Sequence, residues 1–352
     1  MPLIEDEYSI NHAMAGVLFF CFWVGNTISV FSAGFISLRI GYKKSLIFCF
    51  LMLVITFLLI GYAPTYQAFA VISFFMGLGA GVYLPNAIPL ITAVFKRENW
   101  GKAISFHETA AGFSLLTAPL IIVIALGFLN WKSIFLVMSG ACLIVAILLF
   151  ISSPDPRPEK NEKVSMSLII RRKSFWVMTI VWISCAIASM GIYNIVPLFL
   201  VKERGIQIES ANTLFSISRV GGFIAMILIG FVIDRFNLKK MLQFLLFGTG
   251  VTTTAIALVH SYWLLSIMLF AQAIFSVVFF PTSLVAIAKL TTLSERSVFT
   301  GIIMSISSII GPGLSPIILG AVADVWNFQI GIFVSGVIIT VSCFLFRYLK
   351  EI

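Results

Sequence analysis

Long apolar runs, each closed by a short cluster of charge, glycine or proline, repeat along the whole chain. They fall near 13–37, 45–62, 66–95, 103–129, 131–152, 174–200, 211–233, 241–260, 262–290, 299–323 and 328–349, eleven in all. A helix needs roughly 20 residues, at about 1.5 Å each, to cross about 30 Å of hydrocarbon. None of the runs alternates apolar and polar residues as a barrel strand does. Backbone groups in lipid must also be satisfied within the segment, which leaves helices. The pattern predicts an all-α, multi-pass membrane protein.

Composition agrees: 60% of residues are hydrophobic and 11% charged, with mean hydropathy +1.08. A soluble domain carries about 25% charged residues, so this chain has too few to cover a water-facing surface. The net charge of +9 does not call for a nucleic-acid partner, because 19 of the 23 Lys and Arg fall in one alternating set of connections. Arg39, Lys43, Lys44, Lys96, Arg97 and Lys102 begin that set, and Arg347 and Lys350 end it. The other set holds Lys132, Lys202 and Arg204, and Arg219 lies inside a span. Cytoplasmic loops carry the positive excess, so the carboxyl terminus is expected in the cytoplasm and the amino terminus outside, in a plasma (inner) membrane. Cys21, Cys49, Cys142, Cys185 and Cys343 lie apart in apolar runs and read as small hydrophobes, with no metal or cofactor implied. The charged, proline-rich stretch 153–173 reads as a linker between an amino-terminal bundle, 1–152, and a carboxyl-terminal bundle, 174–352.

The two bundles repeat each other. At an offset of 196 residues, Gly34 meets Gly230, Arg39 meets Arg235, Lys43 and Lys44 meet Lys239 and Lys240, Pro85 meets Pro281 and Gly140 meets Gly336. At 195, Trp131 meets Trp326 and Pro2 meets Pro197. A register kept across a loop, a proline-bearing span and a later span marks a transporter-like fold of two related halves.

The loop member carries a resemblance. Gly34-Phe-Ile-Ser-Leu-Arg39-Ile-Gly41-Tyr-Lys43-Lys44 and Gly230-Phe-Val-Ile-Asp234-Arg235-Phe-Asn-Leu-Lys239-Lys240 resemble the G-x-x-x-D-R-x-G-R/K-R/K loop of the major facilitator superfamily. The resemblance implies two pseudo-symmetric bundles, a solute path between them, and a gating role for these ten residues. Glycine would let helices approach, Asp234 would sit at the positive end of a helix from the other half near Lys102–Ser105, and the cations would meet the inner leaflet. Three departures stand out. Leu38 replaces the first Asp, and Ser73 replaces the arginine that often precedes Gly77 in the family's fourth helix. Ala111 to Pro119 matches the antiporter G-x-x-x-G-P pattern poorly, which argues against drug efflux. Pro2-Leu3 aligns with Pro197-Leu198, the tail of span 174–200, so the chain is expected to lack the family's first helix, having eleven spans of twelve. Either the natural product starts upstream of Met1, with roughly 25–35 further residues forming a helix, or the chain is a transport-dead fragment.

Ionisable residues within spans are functional candidates. Arg219, beside Ser218 and Gly221-Gly222, could take a carboxylate or phosphate bidentately; the alternative is a guanidinium that snorkels or holds its helix. His107 or Glu108 could carry a coupling proton, although Glu108 could simply favour its helix's amino end. Tyr193, Asn194, Gln272, Tyr83 and Asn86 lie on spans that correspond to the family's seventh, tenth and fourth helices and are softer solute-contact candidates; each alone could equally be a helix–helix hydrogen bond. Gly77, Gly79 and Gly81, with Pro85 and Pro89, read as packing and bending elements. The expected function is alternating-access transport of a small organic solute, with an anion suggested by Arg219 and a co-transported or exchanged ion as an open partner, in a monomer. The rivals are a transport-dead sensor or assembly protein and an integral-membrane enzyme. The enzyme reading lacks clustered catalytic residues and any metal or phosphate motif.

Overall fold

The computed structural model describes residues 4, 7–10, 12–156 and 164–349; the chain positions Glu5, Asp6, Arg157, Lys160, Lys163 and Lys350 lie outside that set. Helix dominates, and no strand occurs among the described residues. The helices are α1 His12–Ile40, α2 Tyr42–Gly61, α3 Tyr66–Gly81, α4 Tyr83–Val94, α5 Trp100–Leu126, α6 Trp131–Ser152, the short α7 Met166–Arg171, α8 Lys173–Ala186, α9 Tyr193–Lys202, α10 Ile208–Ile233, α11 Leu238–Leu258, α12 Tyr262–Leu290, α13 Leu293–Ser308, α14 Ser315–Val325 and α15 Phe328–Ser342. A π-helical segment, Ile187–Ile192, joins α8 to α9, and another, Ile309–Leu314, joins α13 to α14. With those joints each of the eleven expected runs lies along one helical rod, the one over 66–95 carrying a turn at Val82 between α3 and α4. Ten rods are long and apolar enough to cross a membrane among the described residues. The eleventh is α5, 27 residues long, several of whose side chains lie outside the described set.

Local chemistry explains the ends. Asn130, Asn237 and Asn327 precede α6, α11 and α15, and each side chain accepts the amide of the residue three further on, at 2.8, 3.0 and 2.8 Å, satisfying a donor that the helix leaves orphaned. The glycine stripe before Pro85 lets the rod break at Val82, whereas Pro281, preceded by bulky residues, sits inside the unbroken α12. Glycine weakens a helix by roughly 1 kcal/mol per residue, so the glycine-rich copy yields first.

The helices group into two compact units. Unit 1 holds Met1–Val94, Thr117–Val164 and Thr291–Ser305; unit 2 holds Phe95–Leu116, Ser165–Leu290 and Ile306–Ile352. Each unit thus takes one segment from the opposite half of the sequence. Within unit 1, α1 packs on α3, and α2 packs on α6 and α3. Gly77 and Gly81 lie against the backbone of α1 at Phe22 and Asn26, the close packing expected of that stripe. Within unit 2, α10 packs on α12, and α11 packs on α15 and α12.

The repeat persists at the level of single hydrogen bonds. Lys43 Nζ donates to Ser153 O at 2.7 Å in unit 1, and Lys239 Nζ to Leu349 O at 2.5 Å in unit 2; donor and acceptor both keep the offset of 196. A lysine at a helix's carboxyl end satisfies its last carbonyls. Glu7 and Glu203 keep the same offset. Glu7 pairs with Lys132 at 2.6 Å near the start of α6, and Glu203 accepts the amides of Phe328 and, at 3.0 Å, Gln329 at the start of α15.

Candidate functional site

Asp234 follows α10, and its carboxylate accepts two amides from the first turn of α5, Gly101 N at 2.8 Å and Lys102 N at 3.1 Å. These are orphan donors at a positive helix end, and the contact expected near Lys102–Ser105 is present. Gly230 permits it: a Cβ there would stand 3.0 Å from Ser105 Cβ and 3.3 Å from Lys102 Cα. Arg235 and Lys240 are exposed beside it.

The first copy, in unit 1, reaches the same kind of contact without a carboxylate. Gly34 lies against the start of α13 so closely that a Cβ would fall 2.5 Å from Val298 Cα. Around it, Ser37 Oγ donates to Ser297 Oγ at 3.2 Å and Tyr42 Oη donates to Leu293 O at 2.6 Å. Arg296, 4% exposed, donates to Thr92 Oγ1 and, at 3.2 Å, to Thr291 O. Ser297 Oγ donates to Asn86 Oδ1 at 3.4 Å, while Asn86 Nδ2 donates to Val82 O at 2.7 Å. Asn86 is fully buried, and these bonds favour the helix–helix reading of that residue. Gly41, at φ 90°, makes the turn into α2 that an L side chain resists; Arg39 and Lys44 are exposed. In the sequence Arg296 is one more cation of the basic set, and nothing marks Ser37 or Thr92. Tyr42, sitting inside the motif between Gly41 and Lys43, was the available signal.

The second cluster lies in unit 2, where α9 meets α10. The Arg219 guanidinium carbon stands 3.8 Å from the Tyr193 ring centroid and 5.1 Å from that of Phe215, a cation over aromatic faces. Tyr193 is 2% exposed, and its hydroxyl lies 2.7 Å from Ser218 Oγ, which donates to Phe215 O at 2.6 Å. Arg219 itself is half-buried and has no carboxylate within ion-pair distance among the described residues. One turn before Tyr193, at the π segment, Gln272 Nε2 donates to Ala188 O at 3.1 Å. Gln272 Oε1 and Ser189 Oγ are buried without a hydrogen-bond partner among the described residues. Such π segments recur at functional sites; here the two pack against each other within the unit.

Of the remaining candidates, His107 Nδ1 lies 3.0 Å from Glu108 Oε1, both partly buried on α5. Their helix meets α10 one turn beyond Arg219, with the Phe113 and Phe223 rings 6.0 Å apart. Tyr83 in unit 1 packs edge-on against Phe50 at 5.9 Å. The side chain of Asn194 lies outside the described residues. No group of three His, Cys, Asp or Glu able to hold a metal occurs among the described residues.

Comparison with known proteins adds the lineage. A Protein TsgA homolog of Buchnera aphidicola is 22% identical over 355 residues, spanning 99% of this chain and 90% of the relative. A hexuronate transporter of Bacillus subtilis is 26% identical over 274 residues, 71% of this chain and 62% of that relative's length. The crystal structure of the E. coli fucose:proton symporter FucP superposes with a TM-score of 0.80 at 17% identity, covering 97% of this chain and 92% of that one. The family model of the Major Facilitator Superfamily matches residues 1–218 and 181–351, more than half of the sequence. The chain is a multi-pass membrane protein that belongs to the Major Facilitator Superfamily.

Proposed function

We propose that this protein moves a small organic anion across the membrane, with Arg219 as the anion's counter-charge. Transmembrane transport of a small organic solute by alternating access is the function of the chain, and the observation that carries the choice of solute is Arg219 itself. A half-buried guanidinium on an aromatic bed, with no carboxylate partner among the described residues, leaves a planar fork of donors for an incoming carboxylate. The hexuronate transporter among the relatives supports an acidic solute. Gln272 completes the proposed solute contacts, Tyr193 reaches the solute through Arg219, and Asn86 serves the helix contact it makes. His107 and Glu108 supply the proposed proton carrier. The basic ends are assigned to the cytoplasm of a plasma (inner) membrane, the carboxyl terminus with them, by the 19 cations on one side. Residues 1–152 and 174–352 act as the two moving bundles, 153–173 links them, and the chain works as a monomer without enzymatic activity. Uptake into proteoliposomes tests the reading, using a panel of carboxylates (glucuronate, benzoate, lactate, citrate), inorganic phosphate and amines. Carboxylate uptake that Arg219→Ala abolishes is expected; uptake of amines alone, or carboxylate uptake indifferent to Arg219→Ala, overturns the choice of solute.

A further inference from the structure

The buried tyrosine under Arg219 has both of its chemical features in use. Ser218 carries one hydroxyl proton and donates it to Phe215 O, so in the 2.7 Å contact Tyr193 is the donor and Ser218 Oγ the acceptor. Ser218 and Arg219 are neighbours on α10. The hydroxyl bond therefore ties the far edge of the Tyr193 ring to the same turn that projects the guanidinium, and the ring face lies 3.8 Å beneath it. With Tyr193 2% exposed and its hydroxyl committed, no part of the phenol is left for a solute to touch. An arginine with several rotatable bonds loses freedom against this bed, because the Tyr193 ring lies directly against its guanidinium.

We infer that Tyr193 is a positioning residue: it presents Arg219 edge-on, so that a solute carboxylate is met in the plane of the guanidinium. The inference rests on Arg219 being the counter-charge, and it deepens that reading by removing Tyr193 from direct contact with the solute. Ser218 belongs to the same device, because it holds the ring in place. A planar carboxylate matches the exposed edge with two parallel bonds, whereas a cation free to swing would bind it less tightly at the same net charge.

The test is carboxylate uptake into proteoliposomes, measured with the best-transported member of the panel, with KM and maximal rate separated for each variant. Tyr193→Phe keeps the ring but loses the bond to Ser218, and is expected to raise KM about threefold, well short of the leucine variant, because the face that carries the cation–π contact is intact. Tyr193→Leu removes the bed and is expected to raise KM about tenfold at an unchanged maximal rate. In an Arg219→Lys background, where the fork is already gone, Tyr193→Leu adds no comparable loss, since the two residues act as a unit. Ser218→Ala raises KM severalfold, and it decides the matter if Tyr193→Leu does not fold. A KM unchanged by Tyr193→Leu (or by Ser218→Ala, should the leucine variant fail) while Arg219→Ala abolishes uptake overturns the positioning role alone. Tyr193→Phe as damaging as Tyr193→Leu overturns it as well, because the hydroxyl would then be the group that matters. Uptake indifferent to Arg219→Ala, or none of the panel carried at all, overturns the anion reading and this inference with it.

Discussion

Arg219 is a guanidinium within an apolar run, held over the rings of Tyr193 and Phe215. A guanidinium in an apolar run is costly unless something uses it, so the sequence alone singles it out. Phe215 sits one turn away on the same helix, but the rest of the arginine's bed does not come from the sequence, because Tyr193 reaches it from α9 and is pinned there by Ser218. Arg219→Lys keeps the charge but replaces the flat fork with a point donor. It should therefore raise KM for a carboxylate about tenfold while leaving uptake measurable, where Arg219→Ala abolishes it. A second residue-scale pair, Glu7 with Lys132, sits at the opposite end from the basic loops. The hydrogen bond from Lys132 holds the Glu7 carboxyl below its ordinary range. The contact contributes above the carboxyl's unfolded pKa and is lost as pH falls through its lowered folded value. Both groups are close to solvent, so the effect on stability is small. Lys132→Met should return Glu7 to its ordinary titration, read by NMR of labelled glutamate.

At the scale of the helical element, the two motif loops hold equivalent helix starts by different chemistry. Asp234 offers a charge to Gly101 and Lys102, worth about 0.3–1 kcal/mol exposed and up to ~2 partly buried. Leu38 cannot, and the first copy uses glycine-permitted backbone contact and the Ser37, Tyr42 and Arg296 hydrogen bonds instead. Asp234→Asn should consequently loosen α5 by about 1 kcal/mol, read as a roughly fivefold faster thiol labelling of Ser105→Cys, and the effect should shrink in high salt. Gly34→Ala should loosen α13 with no salt dependence, read by labelling of Ser297→Cys, because its cause is a collision with the Val298 backbone. The rods themselves were legible from hydrophobic run length. The π segments at Ile187–Ile192 and Ile309–Leu314 were not, because a one-residue change in hydrogen-bond spacing leaves the apolar pattern intact; Gly311-Pro312-Gly313 was the one local cue.

At the scale of the whole molecule, the repeat read from glycine, arginine and lysine positions extends to paired contacts at Lys43 and Lys239 and at Glu7 and Glu203. It was legible because a fold of two repeated halves places like residues at like helix ends. Solute identity was not, since it depends on a few side chains brought together from separate rods. Impermeant-thiol labelling of single cysteines should find 39–44, 96–102 and 235–240 on the cytoplasmic face and 202–209 outside. The most direct measurement of the central claim is uptake of radiolabelled glucuronate, benzoate, lactate and citrate by the purified chain in proteoliposomes, beside its Arg219→Ala variant. Saturable uptake of at least one carboxylate, abolished by Arg219→Ala and not by Arg219→Lys, is the expected result; uptake absent from the unaltered chain, or the same in both, contradicts it.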